Sequence, residues 1–280
     1  MTKEHNNEMT FLEHLEELRW HLIRAVVAIV IISGVTFIFK EIVFDKIIMA
    51  PSTPEFISTA WLCKFGAKVN ELLVSLQIAE KNPDILCLNS KPIKLQSITM
   101  AGQFLAHIKI SLISGFVLAF PYLAYEFWRF ISPALYKKER KHARGAVFAI
   151  SMLFLLGVAF GYFIICPLSV NFLFNYQVSE LAENNIKLMS YVSTVTAVSF
   201  AAGVMFELPA IIYFLSKVGL VTPEFLRKYR RHSIVIILLL SAIITPPDIF
   251  SQVLVCFPLL FLYEISIGIS KRIVKKRERE

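Results

Sequence analysis

Six stretches of this chain carry no charged residue over most of the thickness of a lipid bilayer core: residues 25–39, 110–125, 146–176, 189–206, 233–247 and 249–263. A helix needs about 20 mainly apolar residues to span a hydrocarbon layer of about 30 Å, and most of these stretches approach that length. In lipid the backbone must satisfy its own hydrogen bonds, which leaves helices or closed barrels. The fold expected is therefore an all-α polytopic membrane protein with six transmembrane helices. Hydrophobic residues make up 56% of the chain, against the roughly 45–50% of soluble domains, so one aqueous core cannot hide them.

The expected spans are 21–44, 104–131, 145–174, 190–215, 233–244 and 249–270. The formal net charge of +8 could point to nucleic acid, but its placement argues for membrane topology. Lys137, Lys138, Arg140, Lys141 and Arg144 follow the second span, and Arg227, Lys228, Arg230 and Arg231 follow the fourth. Lys271, Arg272, Lys275, Lys276, Arg277 and Arg279 follow the sixth. The intervening segments 45–103 and 177–188 contain no arginine. By the positive-inside rule both ends are cytoplasmic, no nucleic acid is expected, and 45–103 is an extended external loop. The first 24 residues lack the apolar core and cleavage site of a removable signal, so the first span is expected to be its own targeting signal.

The whole chain, 1–280, reads as a single membrane domain. Thr10 and Glu13 fit a helix-initiating capping box. Phe11, Leu12, Leu15, Leu18 and Leu22 then form an apolar stripe, with Glu13 and Glu17 on the opposite face. Residues 1–20 are expected to form an amphipathic helix along the cytoplasmic surface that turns into the first span. An acidic outer face does little for adhesion to anionic lipid and suits a cationic visitor instead. The fifth span has only about twelve residues before Thr245, Pro246 and Pro247, about 18 Å of helix, so local thinning of the bilayer is expected. Residues 271–280 form a basic cytoplasmic tail.

Glu207 stands in the fourth span, where an ionised carboxylate is costly. It is either a protonated acid inside the bundle or a contact for a substrate or partner helix. Glu126 and Arg129, three residues apart, read as a local helix pair, and Glu264 can snorkel toward Lys271 and Arg272. Glu139 is the lone acid of a basic loop, and Asp248 is placed to cap the last helix. Cys166 and Cys256 read as core residues. Cys63 and Cys87 share the external loop, where a disulfide between them is expected. No catalytic motif, metal-ligand spacing or phosphate-binding loop is present, so neither an enzyme nor a cofactor is expected.

Four separated stretches resemble the TatC family, the multispanning receptor subunit of the twin-arginine protein translocase. They are His14 to Arg19; Phe127 to Tyr136 with Glu139 and Arg140; Phe206 to Pro209; and Thr245 to Asp248 with Phe250, Ser251 and Gln252. The resemblance implies a cupped bundle in the inner membrane, with helices five and six short. It implies a receptor that binds signal peptides of folded precursors through two consecutive arginines. The receptor then recruits TatA- and TatB-type single-span subunits, associates with its own kind, and drives export with the proton-motive force. Residue by residue, Glu17 and Glu139 match the signal-binding acids, with Arg19 and Phe130 shaping the same patch. Glu207 would contact the signal hairpin or partner helices, while Pro51, Pro133 and Asp248 serve shape and coupling. The first external loop is usually shorter in relatives, and many carry a basic residue where His21 stands. Two other classes stay open: a secondary transporter with a small polar substrate at Glu207, and a structural scaffold for other membrane subunits.

Overall fold

The computed structural model describes residues 11–53, 55–75, 95–131, 143–177, 179, 184–245 and 249–277. The described residues are helical apart from short connections and one isolated parallel bridge between Gln96 and Lys187. Among the described residues five helices are long and apolar enough to cross a membrane: Leu15–Ile38, Gly102–Ile131, Gly145–Asn175, Leu188–Val218 and Gln252–Arg277.

Helix α1 runs unbroken over Phe11–Ile38. The expected turn between a surface helix and a first span is absent, because no proline or glycine interrupts the helix before Gly34. After Ile38 the chain winds into a wide π-helical turn, Glu41–Ile48, and then a 3₁₀ turn, Ala50–Ser52, which buries Pro51 completely. Two tyrosines from other helices pin this region: Tyr162 Oη donates to the Ile47 carbonyl at 2.5 Å and Tyr191 Oη to that of Ile48 at 2.8 Å. The segment expected as an extended loop also holds a 19-residue helix, α2, Ile57–Ser75. Its lysines and mixed polarity hid it from a search for charge-free runs.

Helix α3, Gly102–Ile131, lies at the centre and packs against α1 and against the two hairpin partners that follow. Those are α4, Ala143–Phe160, and α6, Leu188–Phe206. Helix α4 continues through a π-helical turn, Gly161–Ile165, into α5, Cys166–Asn175. The widened turn sits where Pro167, lacking a backbone N–H, cannot complete the regular ladder. A second interruption separates α6 from α7, Leu208–Val218, at Glu207, with Pro209 in the first turn of α7. Gly219, at φ +88°, ends α7 in a left-handed cap, with the Leu220 N–H donating to Leu215 O at 2.9 Å. That geometry favours a residue without Cβ.

The short helix α8, Pro223–Lys228, precedes α9, Arg230–Ile244, which has 15 residues. At 1.5 Å per residue α9 reaches about 22 Å, less than a full hydrocarbon core. Helix α10, Ile249–Arg277, has 29 residues and corrects the expectation that the last helix is short. It extends past Ser270 because its basic tail continues the helix rather than ending it. Tyr263 Oη donates to Leu226 O at 2.8 Å and accepts from Ser233 Oγ at 3.0 Å, tying α8 and α9 to α10.

Small residues set the helix spacings, as expected where lipid gives no hydrophobic drive for association. A Cβ on Gly115 of α3 would stand 2.7 Å from both Cα and N of Ser33 in α1. Beside that crossing, Thr36 Oγ1 donates to Ser111 O at 3.0 Å. Gly157 of α4 likewise faces Ala202 O and Gly203 Cα of α6, at 2.6 and 2.8 Å from an added Cβ. Gly115→Ala should therefore destabilise the protein by about 1–3 kcal/mol through overpacking. Gly34→Ala, with open space around its Cβ, should be neutral or stabilising by up to about 1 kcal/mol. Thermal unfolding in detergent compares the two, and equal midpoints would contradict the close crossing.

Candidate functional site

The tight α1–α3 crossing brings the charged ends of the two helices side by side. Glu17, His21 and Arg24, four and three residues apart, stand along the first half of α1, and His21 and Arg24 meet Glu126 of α3. His21 is 5% exposed and Glu126 3%. A carboxylate that deeply buried is stable only when paired and hydrogen-bonded.

Glu126 obtains three partners. His21 Nδ1 donates to its Oε2, Arg24 Nε donates to the same oxygen at 3.3 Å, and Tyr122 Oη donates to Oε1 at 2.9 Å. Arg24 Nη2 also lies 3.0 Å from His21 Nδ1. Arginine has only donors, so Nδ1 cannot face both neighbours favourably with one proton. A proton on Nδ1 aimed at Glu126 lets both His21 and Arg24 donate to the carboxylate, and hydrogen bonds to an ionised acceptor are the stronger class. The local Glu126 and Arg129 pair expected from spacing therefore gives way to a cross-helix cluster. No pattern on α3 alone could reveal it, since the deciding partners stand about a hundred positions away.

On its other side the His21 ring meets Glu17, with Nε2 3.9 Å from Oε1, and the Phe130 ring stands edge-on at 6.1 Å between centroids. Glu17 is partly exposed and Arg19 exposed. The structure thus brings Glu17, His21, Glu126 and Phe130 into one neighbourhood.

An apolar cavity of about 390 Å³ opens beside this cluster. Leu18, His21, Glu126 and Phe130 line one part, and Ile211, Phe214 and Glu207 another. Glu207 is held at the break between α6 and α7, and its Oε1 is buried without a hydrogen-bond partner among the described residues. A buried acceptor without a partner can receive a donor from a visiting segment, or hold its own proton in lipid.

Several residues singled out by sequence lie elsewhere. Glu139, Pro133, Asp248 and Cys87 fall outside the described residues. Pro51 packs in the 3₁₀ turn after α1, away from the cavity lining. Cys63 is disulfide-bonded, whereas Cys166 and Cys256 are free and buried. Glu264 pairs across helices with Arg230 of α9, not with the basic tail. Among the described residues no three His, Cys, Asp or Glu side chains are grouped to hold a metal ion.

Comparison with known proteins yields one family. The family model described as Sec-independent protein translocase protein (TatC) matches residues 13–258. The chain is 39% identical over 275 residues to a Sec-independent protein translocase protein TatC from Blattabacterium sp. subsp. Periplaneta americana, covering 98% of this chain and all of that one. A TatC protein from Aquifex aeolicus is 35% identical over 271 residues, covering 96% and 98%. A crystal structure of a twin-arginine translocase receptor, TatC, in DDM superposes with a TM-score of 0.68 at 36% identity, covering 92% of this chain and 99% of that one.

The two acid pairs should differ in energetic weight. Glu126→Ala strands His21 and Arg24 and should cost about 2–3 kcal/mol. Glu264→Ala opens an exposed pair and should cost under about 1 kcal/mol. Chemical or thermal unfolding in detergent measures both, and an equal loss would show that Glu126 is not the buried anchor of the α1–α3 contact.

Proposed function

Because the chain belongs to the TatC family of Sec-independent protein translocase proteins, we propose that it is the receptor for signal peptides carrying two consecutive arginines. It would then recruit TatA- and TatB-type single-span subunits for export driven by the proton-motive force. The observation that carries this function is a partly exposed carboxylate, Glu17, standing beside His21, which lines the apolar cavity. An export signal presents a cationic pair followed by an apolar stretch, and the site offers the complement of each in that order.

Guanidinium is planar, keeps its charge, and meets a carboxylate with two parallel donors, which an ammonium cannot do. Glu17 and Glu139 are the proposed acids, with Arg19 and Phe130 shaping their patch. Glu207, which lines the cavity and whose Oε1 has no hydrogen-bond partner among the described residues, is the proposed polar contact for the signal hairpin or a partner helix. Pro51, Pro133 and Asp248 are proposed to fix the shape of the external turns and of the loop after α3.

The protein is a multi-pass membrane protein. Six crossings in the inner membrane, with both ends cytoplasmic, are the proposed topology. The arginine clusters support it, and α9 would cross by thinning the bilayer around its 15 residues. The unpartnered Glu207 Oε1 also suits a second function, a solute transporter. Uptake of a small polar solute by the chain alone in liposomes would favour that alternative.

Site-specific crosslinking tests the receptor function. The Glu17→Ala, Glu139→Ala double variant should insert normally yet lose most crosslinking to a twin-arginine precursor, with affinity down roughly a hundredfold if each acid supplies about 1.4 kcal/mol. Undiminished crosslinking would remove both acids from the site.

A further inference from the structure

On the premise that Glu17 receives a signal arginine, we propose that Glu126 is a positioning residue. It holds His21 and Arg24 of α1 to itself, and so keeps His21 from hydrogen-bonding to Glu17.

The geometry contains a competition that the local sequence would decide the other way. Glu17 and His21 are four residues apart on one helix, with the acid nearer the N-terminus, the favoured orientation for a local pair. Yet His21 Nε2 stays 3.9 Å from Glu17, beyond hydrogen-bond reach, while Nδ1 bonds to Glu126, 105 positions away.

Burial explains the outcome. An unpaired carboxylate at Glu126 would be stranded out of water, whereas Glu17, partly exposed, can be solvated. The greater need of the buried acid draws both His21 and Arg24, and Tyr122 completes its second oxygen. The cluster is thereby satisfied without a hydrogen bond to Glu17, whose carboxylate stays partly exposed beside His21, a residue that lines the cavity. Phe130, edge-on to the imidazole, packs beside the ring in this orientation.

Neutralising Glu126 removes the pull. With an amide at position 126 the imidazole has one charged acceptor near it, Glu17, and a resident His21–Glu17 pair must be broken before an arginine can bind. A neutral glutamine at position 21 cannot compete in that way, and its amide can still donate to Glu126.

The test measures binding of a fluorescent twin-arginine signal peptide to the purified full chain in nanodiscs. Glu126→Gln should weaken binding by about tenfold. Adding His21→Gln should return it to within about threefold of the original, and His21→Gln alone should tighten it. Loss of binding in Glu126→Gln that His21→Gln does not restore would overturn the proposal, as would binding in Glu126→Gln equal to that of the original. Should Glu126→Gln fail to fold, His21→Gln alone decides, because unchanged or weaker binding contradicts competition for Glu17. Glu17→Gln separates the premise from the inference. If it binds as the original does, the receptor acid has been misassigned. If it loses binding while the Glu126 and His21 variants behave otherwise than stated, only the positioning role falls.

Discussion

The close crossing of α1 and α3 governs the rest of the molecule. Gly115 lets the two backbones approach at Ser33, Thr36 hydrogen-bonds across the contact, and the same alignment sets Glu126 against His21 and Arg24. A charge that deep is tolerated only when its partners arrive with it. The packing of small residues and the pairing of charges are therefore one requirement met at two levels of the same helix pair. The cavity beside it is lined on another part by Glu207, at the interruption between α6 and α7, and by Ile211 and Phe214 of α7.

This arrangement ties architecture to a plausible chemistry of recognition. A carboxylate at a partly desolvated boundary discriminates guanidinium from ammonium better than one in open water, since the directional hydrogen bonds count for more there. Next to it, an apolar cavity offers nothing polar except at its two acidic margins. The opposite end of the bundle is fixed separately, by Tyr162 and Tyr191 on the turn after α1 and by the Gln96 bridge to the start of α6. Each end of the bundle thus has its own fastening, and the cavity lies near the charged one.

The helical, membrane-crossing class and the positions of the long spans were legible because charge-free length is a one-dimensional property. Glu207 was legible for the same reason, a charge in an uncharged run. Four features were not. The continuity of α1 depends on the absence of a breaker, which amphipathic patterning overrode. Helix α2 and the length of α10 were hidden by charges that a helix tolerates but a search for apolar runs rejects. Glu126 was misread because Arg129 offered a local explanation, while the decisive pull came from α1 and only folding brings it near. The family resemblance supplied Glu17, which spacing alone marked only as part of an acidic face.

The central claim is that acids at this boundary select a guanidinium pair. The direct measurement is the affinity of the purified chain in nanodiscs for one export signal in two versions, Arg-Arg and Lys-Lys. Loss of two-pronged pairing at two positions predicts weakening by at least about tenfold in the Lys-Lys version. Equal affinity for both would contradict the account.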